Sequence, residues 1–415
     1  MLLRDIDENE FKSFTEAYPF SSIFQTVEYA NVMKYEGYTV IYVGAFQNNN
    51  MIAGAMILVK KIRGFLYAYC PRGFLIDYCN NSLMADFTKM LKKFLGKKDI
   101  VAVKLCPIIV KDIYNSDGKV IGNNPNYNAI FNNLQTLGYY HFGYNSFFEA
   151  YKPRFEAMID ISQNYTDLFK NIKNEYKTKI RSAESNGIKI YKADINEISF
   201  IYDQVKGKTK KNINFIENSF KYMGNSNKID YYYAKLDTEI YLKLTKKKFE
   251  EQDILVTNIN ESILKKKESS AKTINKKIEA DNTLSLYKLK LIEATNLMRE
   301  YPTGLVVSTV IVTKHRSEVF LYLDGYEKKY KNLNAKHLLM WKMIEKYSNL
   351  GFKRFNLGGV TDVRLKSEKY DGLNNFKTNF NSSIMEYIGD LELITNKPLY
   401  FLFKQRVKGS DLKGN

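Results

Sequence analysis

The chain has 415 residues, of which 45% are hydrophobic and 26% are charged. This length allows two or three hydrophobic cores, and this composition excludes global disorder. Lysine and arginine number 63 against 45 aspartate and glutamate residues, a net charge of +18 that indicates a polyanionic partner (nucleic acid or an anionic membrane surface) or else serves solubility.

The first third of the chain predicts an α/β domain. Apolar runs predict strands over TVIYVGAF, MIAGAMILVKK, FLYAYCP and IVAVKLCP, with a helix over LMADFTKMLKKFL before the last of these strands. We assign residues 1–150 to this first domain.

Residues 166–186 predict a single amphipathic helix, with Thr166 as its N-cap and Gly187 just beyond its end. Its apolar stripe consists of Phe169, Ile172, Tyr176 and Ile180, and a parallel basic stripe consists of Lys170, Lys173, Lys177 and Arg181. The basic stripe is either a solvated face or a surface for phosphate groups, and the net positive charge makes phosphate contact the hypothesis to test.

Long helices are expected between Gly224 and Gly304, because this segment contains neither glycine nor proline up to Pro302. One apolar seam consists of Phe249, Val256, Ile259 and Ile263, and a second one, after the polar stretch KKKESSAKT, consists of Ala280, Leu284, Tyr287, Leu291, Ala294 and Met298. The two seams predict an antiparallel coiled-coil hairpin over 242–300. We expect it to protrude as an arm from a second domain made of 151–241 and 301–384; two ordinary helices packed on the body are the alternative.

The pattern of the first third returns after the arm. GLVVSTVIVT and SEVFLYLDG predict strands, AKHLLMWKMIEKYSNLG predicts a helix, and FKRFNLGG predicts a further strand. Both parts follow the order strand, strand, loop, helix, strand, which predicts a duplicated α/β unit. We expect a segment at about 385–403 to return to the first domain and 404–415 to form a basic tail.

The common catalytic motifs are missing. His141, His315 and His337 belong to no HExxH motif and no Cys/His metal spacing, so we expect structural roles for them. There is no GxSxG elbow and no GxxxxGK[ST] loop either. Any chemistry must therefore use lysine, aspartate or tyrosine side chains on substrates that arrive already activated.

The cysteines and the apolar runs indicate a cytoplasmic chain. Cys70, Cys79 and Cys106 form no CxxC motif, and we expect them to be reduced core residues. The start MLLRDIDENE is too acidic for a secretory signal, and the longest apolar run, near 305–312, is far shorter than the ~20 residues of a membrane span. Any membrane contact is therefore expected to be peripheral.

Five stretches, in the same order along the chain, resemble the Fem peptidyltransferase family. They are QTVEY with the following Lys34, YAYCPRGFLIDY, NEYKTKIRSAESNGIKI, GYEKKYKNLNAKHLLMWKMIEKYSNLGFKRFNLGGVTD and GLNNFKTNFNSSIMEYIGDLEL. The predicted arm lies where the members of the FemA type carry theirs. The resemblance implies an α/β fold of two tandem acetyltransferase-like (GNAT) domains, which agrees with the duplicated order.

The resemblance also implies an activity. Such an enzyme transfers an amino acid, which we expect to be Gly, Ala or Ser, from aminoacyl-tRNA to an amine of lipid II or of a UDP-MurNAc-peptide. We therefore expect no metal and no cofactor besides the aminoacyl-tRNA co-substrate. The tRNA would contact the basic stripe and, by analogy with the hairpin of seryl-tRNA synthetase, the arm. The anionic inner face of the membrane is the expected peripheral partner.

The same motifs suggest the site residues. Lys377 would stabilise the charge that develops on the ester oxygen, and Asp77 would accept a proton from the acceptor amine or orient it. Substrate contacts are expected from Lys34, Arg72, Lys221, Tyr222 and Phe376. Asn218 stands where the family has an arginine, so the precursor diphosphate is expected to be held through Lys34 or Lys221. NFNSS replaces the glycine-containing sequence of the family after Lys377.

Two other interpretations remain open. An N-acyltransferase that uses acyl-CoA would leave the arm and the positive charge without a purpose. A non-catalytic RNA-binding or immunity protein on the same scaffold would tolerate changes at Lys377 and Asp77.

Overall fold

The computed structural model describes residues 1–265 and 270–407. Its strands are β1 (Leu2–Asp5), β2 (Thr39–Gln47), β3 (Asn50–Ile62), β4 (Phe65–Pro71), β5 (Ile100–Cys106), β6 (Val110–Tyr114), β7 (Val120–Asn123), β8 (Tyr139–His141), β9 (Phe155–Asp160), β10 (Ile188–Lys192), β11 (Ile229–Leu236), β12 (Leu305–His315), β13 (Glu318–Tyr326), β14 (Arg354–Val360), β15 (Ser383–Tyr387) and β16 (Leu391–Ile394). Its α-helices are α1 (Glu8–Ala17), α2 (Val27–Tyr35), α3 (Asn81–Gly96), α4 (Tyr127–Thr136), α5 (Tyr165–Asn171), α6 (Asn174–Ser185), α7 (Ile198–Val205), α8 (Ile213–Ser219), α9 (Thr238–Leu264), α10 (Ala271–Glu300), α11 (Ala335–Asn349), α12 (Glu368–Thr378) and α13 (Lys397–Arg406). Short 3₁₀ turns cover Ile23–Gln25, Ile195–Glu197 and Lys328–Leu333, and a π turn covers Phe220–Gly224.

The strands form two mixed sheets that repeat one plan. The seven-stranded sheet has the order β1-β2-β3-β4-β5-β16-β8, and the nine-stranded sheet has the order β10-β11-β12-β13-β14-β9-β15-β6-β7. In the first sheet β3 and β4 are antiparallel, and α3 then leads to β5, which is parallel to β4. In the second, antiparallel β12 and β13 are followed by α11 and by β14, which is parallel to β13. The predicted α/β class and duplicated order are confirmed.

The two sheets share segments of the chain. Strands β6 and β7 lie within the predicted first domain, 1–150, yet β6 pairs with β15 in the nine-stranded sheet. In the C-terminal segment, β15 stays in the nine-stranded sheet, whereas β16 enters the seven-stranded sheet between β5 and β8. Each sheet thus contains strands from both sides of the predicted boundary at residue 150.

A shared core joins the two sheets. Phe24 and Met56 from the N-terminal part pack in one cluster with Phe215, Tyr231 and Ile311 from the other part. Each side chain of this size contributes roughly 1.5–3 kcal/mol when it is buried. The space between the sheets is therefore a fixed part of the fold, and a cavity within it has defined walls.

The prediction of one helix over 166–186 is wrong, because the chain forms α5 and α6 with a break between them. Ile172 and Lys173 have extended ψ angles of 155° and 142°. The Lys173 N–H donates to the carbonyl oxygen of Asn379 at 3.2 Å instead of continuing a helix. The break lets Ile172 enter the core of the nine-stranded sheet, so tertiary packing overrides the helical periodicity. The apolar stripe itself is confirmed, since Ile172, Tyr176 and Ile180 are buried.

The predicted hairpin is confirmed by α9 and α10, which pack side by side. Val256, Ile259 and Ala280 form its seam, with Ile263 and Leu284 partly buried against them. At its base Tyr241, Ala294 and Leu297 belong to the core of the nine-stranded sheet, so the body extends into the predicted arm range 242–300. Part of the polar stretch KKKESSAKT (266–269) and of the basic tail (408–415) lies outside the described residues.

The cysteines only partly match the prediction. All three are free, and Cys70 and Cys106 are buried as expected, but Cys79 is exposed. Cys79 lies in the loop just before α3, where its backbone N–H donates to Asp77. Among the helices of residues 1–265 and 270–407, none is long and apolar enough to cross a membrane.

Candidate functional site

Lys377 lies near the end of α12, and its ammonium is buried beneath β14. The residue is only 7% exposed, and its Nζ donates to the carbonyl oxygen of Gly359 at 2.7 Å. Asn374, one turn earlier, fixes the helix to the end of β14. Its Oδ1 accepts from the Thr361 N–H at 3.1 Å and its Nδ2 donates to Thr361 Oγ1 at 2.7 Å. The position of the ammonium is thus set by two secondary-structure elements.

A β-bulge shapes β14 beside this ammonium. The register between β14 and β9 shifts between Asn356 and Gly358, and Gly358 has a φ of +75°. Asn356 Oδ1 holds the bulge by accepting from the Gly358 N–H at 2.8 Å. A Cβ on Gly358 would lie 3.6 Å from Lys377 Nζ, so a side chain here would be both strained and close to the amine.

The Lys377 amine lies where two parallel strands separate. β13 and β14 pair only from Glu318 to Phe320 and from Arg354 to Asn356. Beyond these pairs, a Cβ built on Gly358 would lie 3.5 Å from the carbonyl oxygen of Leu321 and 3.6 Å from Lys377 Nζ, so both atoms face the same point of β14. Separated parallel strands leave backbone groups and space for a ligand between them.

Two further lysines and a carboxylate surround Lys377. Asp324 forms ion pairs with Lys336 at 2.7 Å and with Lys208 at 3.2 Å. Burial lowers the pKa of Lys377 to about 8, while the charge of Asp324 acts in the opposite direction. Burial raises the pKa of Asp324, but Lys336 and Lys208 hold it below its ordinary value. At neutral pH Lys377 is therefore mostly protonated.

A basic cavity of about 360 Å³ is lined by Phe376, the residue before Lys377, and by Lys336, which shares Asp324 with it as a charged neighbour. Its charged lining consists of Lys179, Lys331 and Lys336 with Glu175 and Glu327, of which Glu175 pairs with Lys179 at 2.5 Å, and the rings of Tyr326 and Phe376 complete one wall. α11 begins there after Asn334, which has a left-handed conformation and makes no side-chain cap. The positive end of the helix dipole favours an anion at this helix end, as do the lysines.

A second, inter-sheet cavity of about 520 Å³ lies between the two sheets. Most of its lining is apolar, and its charged members are Arg72, Asp77, Glu156, Glu318 and Arg354. Phe320 also lines it, and Phe320 Cζ lies 3.8 Å from the Cβ position of Gly358, beside Lys377 Nζ. Lys377 itself lines neither cavity, but its neighbour Phe376 lines the basic cavity and Phe320 of the inter-sheet cavity lies close to its amine.

Three of the predicted site residues line these cavities. Asp77 is exposed at the inter-sheet cavity, where its Oδ1 accepts from the Cys79 N–H at 2.9 Å. Arg72 lines the same cavity, but its Nη2 is engaged by Glu156 Oε1 at 2.5 Å and by the Pro153 carbonyl oxygen at 3.0 Å. Phe376 lines the basic cavity beside Lys377.

Three other predicted residues form a separate surface patch. The Tyr222 hydroxyl donates to the hydroxyl of Tyr35 at 2.5 Å, and Lys221 Nζ lies 5.3 Å from the Tyr222 ring. Lys34, next to Tyr35, pairs with Glu8 at 2.7 Å. These side chains lie outside the linings of the two cavities, so any contact with a substrate would involve a part distant from the reacting group.

The basic stripe lies at the surface, outside the lining of the basic cavity. Lys170, Lys173 and Arg181 are exposed, and Lys177 is half-buried with its Nζ donating to the carbonyl oxygen of Lys170 at 2.7 Å. The same helix, α6, contributes Lys179 to the lining of the basic cavity. Lys179 is two residues from both Lys177 and Arg181, so it points to a different side of α6 from the stripe.

Several residues of the site carry no motif in the sequence. Lys208 follows α7, more than a hundred residues before its partner Asp324. Glu156, Glu318 and Asn356 come from three different strands and meet only through the sheet. Within residues 1–265 and 270–407, no group of three or more His, Cys, Asp or Glu side chains is arranged to hold a metal ion.

Known proteins resemble the chain over almost its whole length. The model of the FemAB family matches residues 6–408. "Aminoacyltransferase FemA" of Staphylococcus aureus strain NCTC 8325 / PS 47 is 27% identical over 423 residues, which cover 99% of both chains, and FemA of strain bovine RF122 / ET3-1 gives the same values. The crystal structure of FemX has a TM-score of 0.75 at 19% identity and covers 98% of this chain and 100% of its own. A tandem GNAT protein from the clavulanic acid biosynthesis pathway has a TM-score of 0.50 at 6% identity, with 95% and 98% of the two chains covered.

The two structural likenesses confirm the tandem GNAT-like fold that the duplicated order predicts. The family model extends from the first α/β unit through the arm to the segment after α13. It thus includes all five stretches that carry the resemblance, together with Lys377 and both cavities. On this evidence the chain belongs to the FemAB family.

Proposed function

We propose that the chain is an aminoacyltransferase that moves an amino acid from aminoacyl-tRNA to an amine of a peptidoglycan precursor. The observation that carries the proposal is the buried ammonium of Lys377, whose neighbours Phe376 and Phe320 line a basic cavity and a largely apolar cavity. A group-transfer enzyme needs this arrangement, because donor and acceptor must reach one point from different sides. The aminoacyltransferase activity of the FemA relatives agrees with it.

Lys377 acts on the charge that develops during the transfer. An aminoacyl ester is already activated, and attack by an amine places negative charge on the carbonyl oxygen. A fixed donor at that oxygen is worth about 3–4 kcal/mol, or a hundredfold and more in rate. One of the three N–H groups of Lys377 donates to the carbonyl oxygen of Gly359, so two remain to donate to an oxyanion. Binding both substrates in register supplies a further share of the acceleration.

The donor enters through the basic cavity. Lys179, Lys331 and Lys336 and the start of α11 suit the phosphate groups of an RNA 3′ end. Tyr326 and Phe376 offer ring faces on which a base or ribose stacks. The basic stripe on α5 and α6 would then hold phosphates further along the tRNA.

The acceptor enters through the inter-sheet cavity, whose apolar walls suit a peptide stem. Asp77 at this cavity orients the acceptor, and the patch of Lys34, Lys221 and Tyr222 holds the diphosphate of lipid II or of a UDP-MurNAc-peptide. A lipid-linked acceptor would bring the protein to the anionic inner face of the membrane, as its charge of +18 favours.

The proposal is tested by incubating the protein with a mixed pool of charged tRNAs and with either lipid II or UDP-MurNAc-pentapeptide. Mass spectrometry of the acceptor should show the gain of one amino-acid residue, which we expect to be Gly, Ala or Ser. Digestion of the tRNA by ribonuclease before the reaction should abolish the product. The proposal would be rejected if both acceptors kept their original mass after incubation with every charged tRNA.

An acyl-CoA-dependent N-acyltransferase is the second function that the site allows. The start of α11 with Lys331 and Lys336 suits the pyrophosphate of coenzyme A as well as an RNA phosphate. The same assay with acetyl-CoA in place of charged tRNA separates the two. Acetylation of the acceptor without RNA would favour this alternative.

A further inference from the structure

The inter-sheet cavity contains a carboxylate that is fully engaged, Glu156. It is 2% exposed, and its Oε1 accepts from Arg72 Nη2 at 2.5 Å, while its Oε2 accepts from Asn356 Nδ2 at 2.8 Å. Both oxygens of Glu156 are thus occupied, and its partner is a buried guanidinium that needs a counter-charge. Glu156 is therefore a structural anion that holds Arg72 and Asn356 in place.

Glu318 lines the same cavity, but it is more exposed than Glu156 and less tightly bound to its arginine. Its side chain is 27% exposed, and its Oε2 meets Arg354 Nε at 3.3 Å, a long contact for an ion pair. Burial raises the pKa of this carboxyl group, Arg354 and a hydrogen bond from Asn356 act in the opposite direction, and the neighbouring charge of Glu156 adds to the rise, so that the pKa lies above its ordinary value. A carboxylate with this environment is more basic than usual and still reachable from the cavity.

Glu318 also lies on the face of β13 that leads to Lys377. Glu318 and Phe320 are two residues apart on the strand, so their side chains point to the same face about 7 Å apart. Phe320 Cζ and Lys377 Nζ lie 3.8 and 3.6 Å from the same Cβ position on Gly358. Phe320 thus lies next to Glu318 along the cavity wall and close to the Lys377 amine, which connects the carboxylate and the ammonium through one side chain.

We propose that Glu318 binds the ammonium of the acceptor and takes up its proton before the attack. This inference rests on the proposed aminoacyl transfer. The acceptor R–NH₃⁺ gives one proton to the Glu318 carboxylate, and the lone pair of the resulting amine attacks the ester carbonyl carbon. The C–N bond forms, the C–O bond to the ribose breaks, and the ribose oxygen receives the second proton that the nitrogen loses. Glu318 then releases its proton to water.

The walls around Glu318 define the class of acceptor. Met158, Phe320 and Met385 line the cavity together with it, and all three are apolar. An amine at the end of an alkyl chain, or at the end of a short peptide, matches this combination of apolar walls and one carboxylate. The positive charge of Arg354 beside Glu318 disfavours a second cationic group on the acceptor.

The inference is tested by the variant Glu318→Gln, which keeps the size of the side chain and removes its charge. At pH 7 we expect kcat to fall by about a hundredfold or more with a smaller change in KM.

The pH profile should change as well. The wild type should show a plateau between the pKa of Glu318 and the alkaline loss near pH 8, whereas the rate of the variant should climb about tenfold per pH unit between pH 6 and 7, because it depends on the free amine. Glu318→Asp should recover part of the rate and restore the plateau.

The matched control is Glu10→Gln, since Glu10 also pairs with an arginine, Arg4, at 2.6 Å but lies on the surface in α1. Gln still satisfies the capping box there, so rate and pH profile should stay as in the wild type. A Glu318→Gln variant that keeps the wild-type rate and plateau would overturn the inference. A rise in KM alone, with an unchanged pH profile, would also overturn it and leave Glu318 as a binding group. A wild-type protein without any transfer activity would instead reject the proposed function itself.

Discussion

Lys377 Nζ and the carbonyl oxygen of Gly359 are 2.7 Å apart, although they belong to a helix and to the bulged end of a strand. The contact fixes a buried ammonium at the point where β13 and β14 separate. Ammonium groups on flexible surface stems must lose rotamer freedom before they act. Lys377 has lost it already in the folded protein, which is what electrostatic preorganisation requires.

Replacing Lys377 by Met should lower the rate of transfer by two or more orders of magnitude. The affinities for tRNA and precursor should change little, because the charge is needed mainly in the transition state. Single-turnover rates and equilibrium binding of each substrate measure the two effects separately. Lys377→Arg should rescue poorly, since a planar guanidinium places its donors differently from a compact ammonium. Near-normal turnover of the Met variant with a loss of precursor affinity would instead identify Lys377 as a clamp.

The rate should also fall as the pH rises through about 8, the pKa to which burial lowers Lys377. The ammonium is present below this pH and disappears above it, so the loss occurs on the alkaline side. The measurement is kcat between pH 6 and 9.5, corrected for spontaneous hydrolysis of the aminoacyl ester. In Lys377→Arg the remaining activity should not show this alkaline loss, because a guanidinium stays charged there. An alkaline loss shared by both proteins would have to come from another group.

The regular elements could be predicted from the sequence, and the site only in part. The apolar runs of β12 and β13 and the helix α11 follow from local periodicity, and Lys377 follows from the closing motif. The break at Ile172 does not, because its cause is a hydrogen bond from Lys173 to the distant Asn379.

Glu318 shows why the rest of the candidate site cannot be predicted from the sequence. Its neighbours Glu156 and Arg354 belong to other strands, and the parallel register of β13 with β14 brings Glu318 beside Arg354. A single sequence contains no trace of that register. Charged residues of a site that is built across strands therefore emerge only from the fold, whereas a motif within one loop or helix is visible beforehand.

The basic stripe gives a prediction about binding. Affinity for charged tRNA should fall by powers of ten between about 50 and 200 mM salt if several phosphates are neutralised. Replacement of Lys170, Lys173 and Lys177 by Ala should weaken this affinity and flatten its salt dependence, while precursor binding stays nearly unchanged. The matched control replaces Lys89, Lys93 and Lys97, three exposed lysines on or next to α3. Equal losses for both triple variants would show a general effect of charge, and a salt-independent affinity would contradict phosphate binding.

His315 predicts how stability depends on pH. Its Nε2 lies 2.7 Å from Ser21 Oγ, and burial lowers its pKa to about 4. The unfolded chain has the ordinary value near 6.5. Between these two values the unfolded state binds a proton that the folded state does not, so the free energy of unfolding decreases as the pH falls, by about 3 kcal/mol in total. Denaturant titrations of wild type and His315→Gln should show a difference in unfolding free energy that shrinks from pH 7 to pH 4. A difference in unfolding free energy that stays constant from pH 7 to pH 4 would contradict the lowered pKa of His315.

The arm should be removable as a unit, but only outside its base. Deleting 249–285 and joining Lys248 to Leu286 through about four Gly and Ser residues removes the seam of Val256, Ile259 and Ala280. The core residues Ala294 and Leu297 stay, so a single cooperative unfolding transition should persist. Transfer from charged tRNA should decrease, because we expect the arm to contact the tRNA, while precursor binding should be retained.

A longer deletion provides the control for this boundary. Joining Tyr241 directly to Tyr301 also removes Leu297, which is 3% exposed in the core of the nine-stranded sheet. The loss of a buried leucine costs about 2–5 kcal/mol, so this longer deletion should unfold at clearly lower denaturant concentration than the shorter one. If the shorter deletion already broadens or splits the unfolding transition, the outer part of the hairpin belongs to the body. If it folds normally and transfers at the wild-type rate, the arm makes no contact with the tRNA that matters for transfer, and the donor must be held by the basic cavity and the basic stripe.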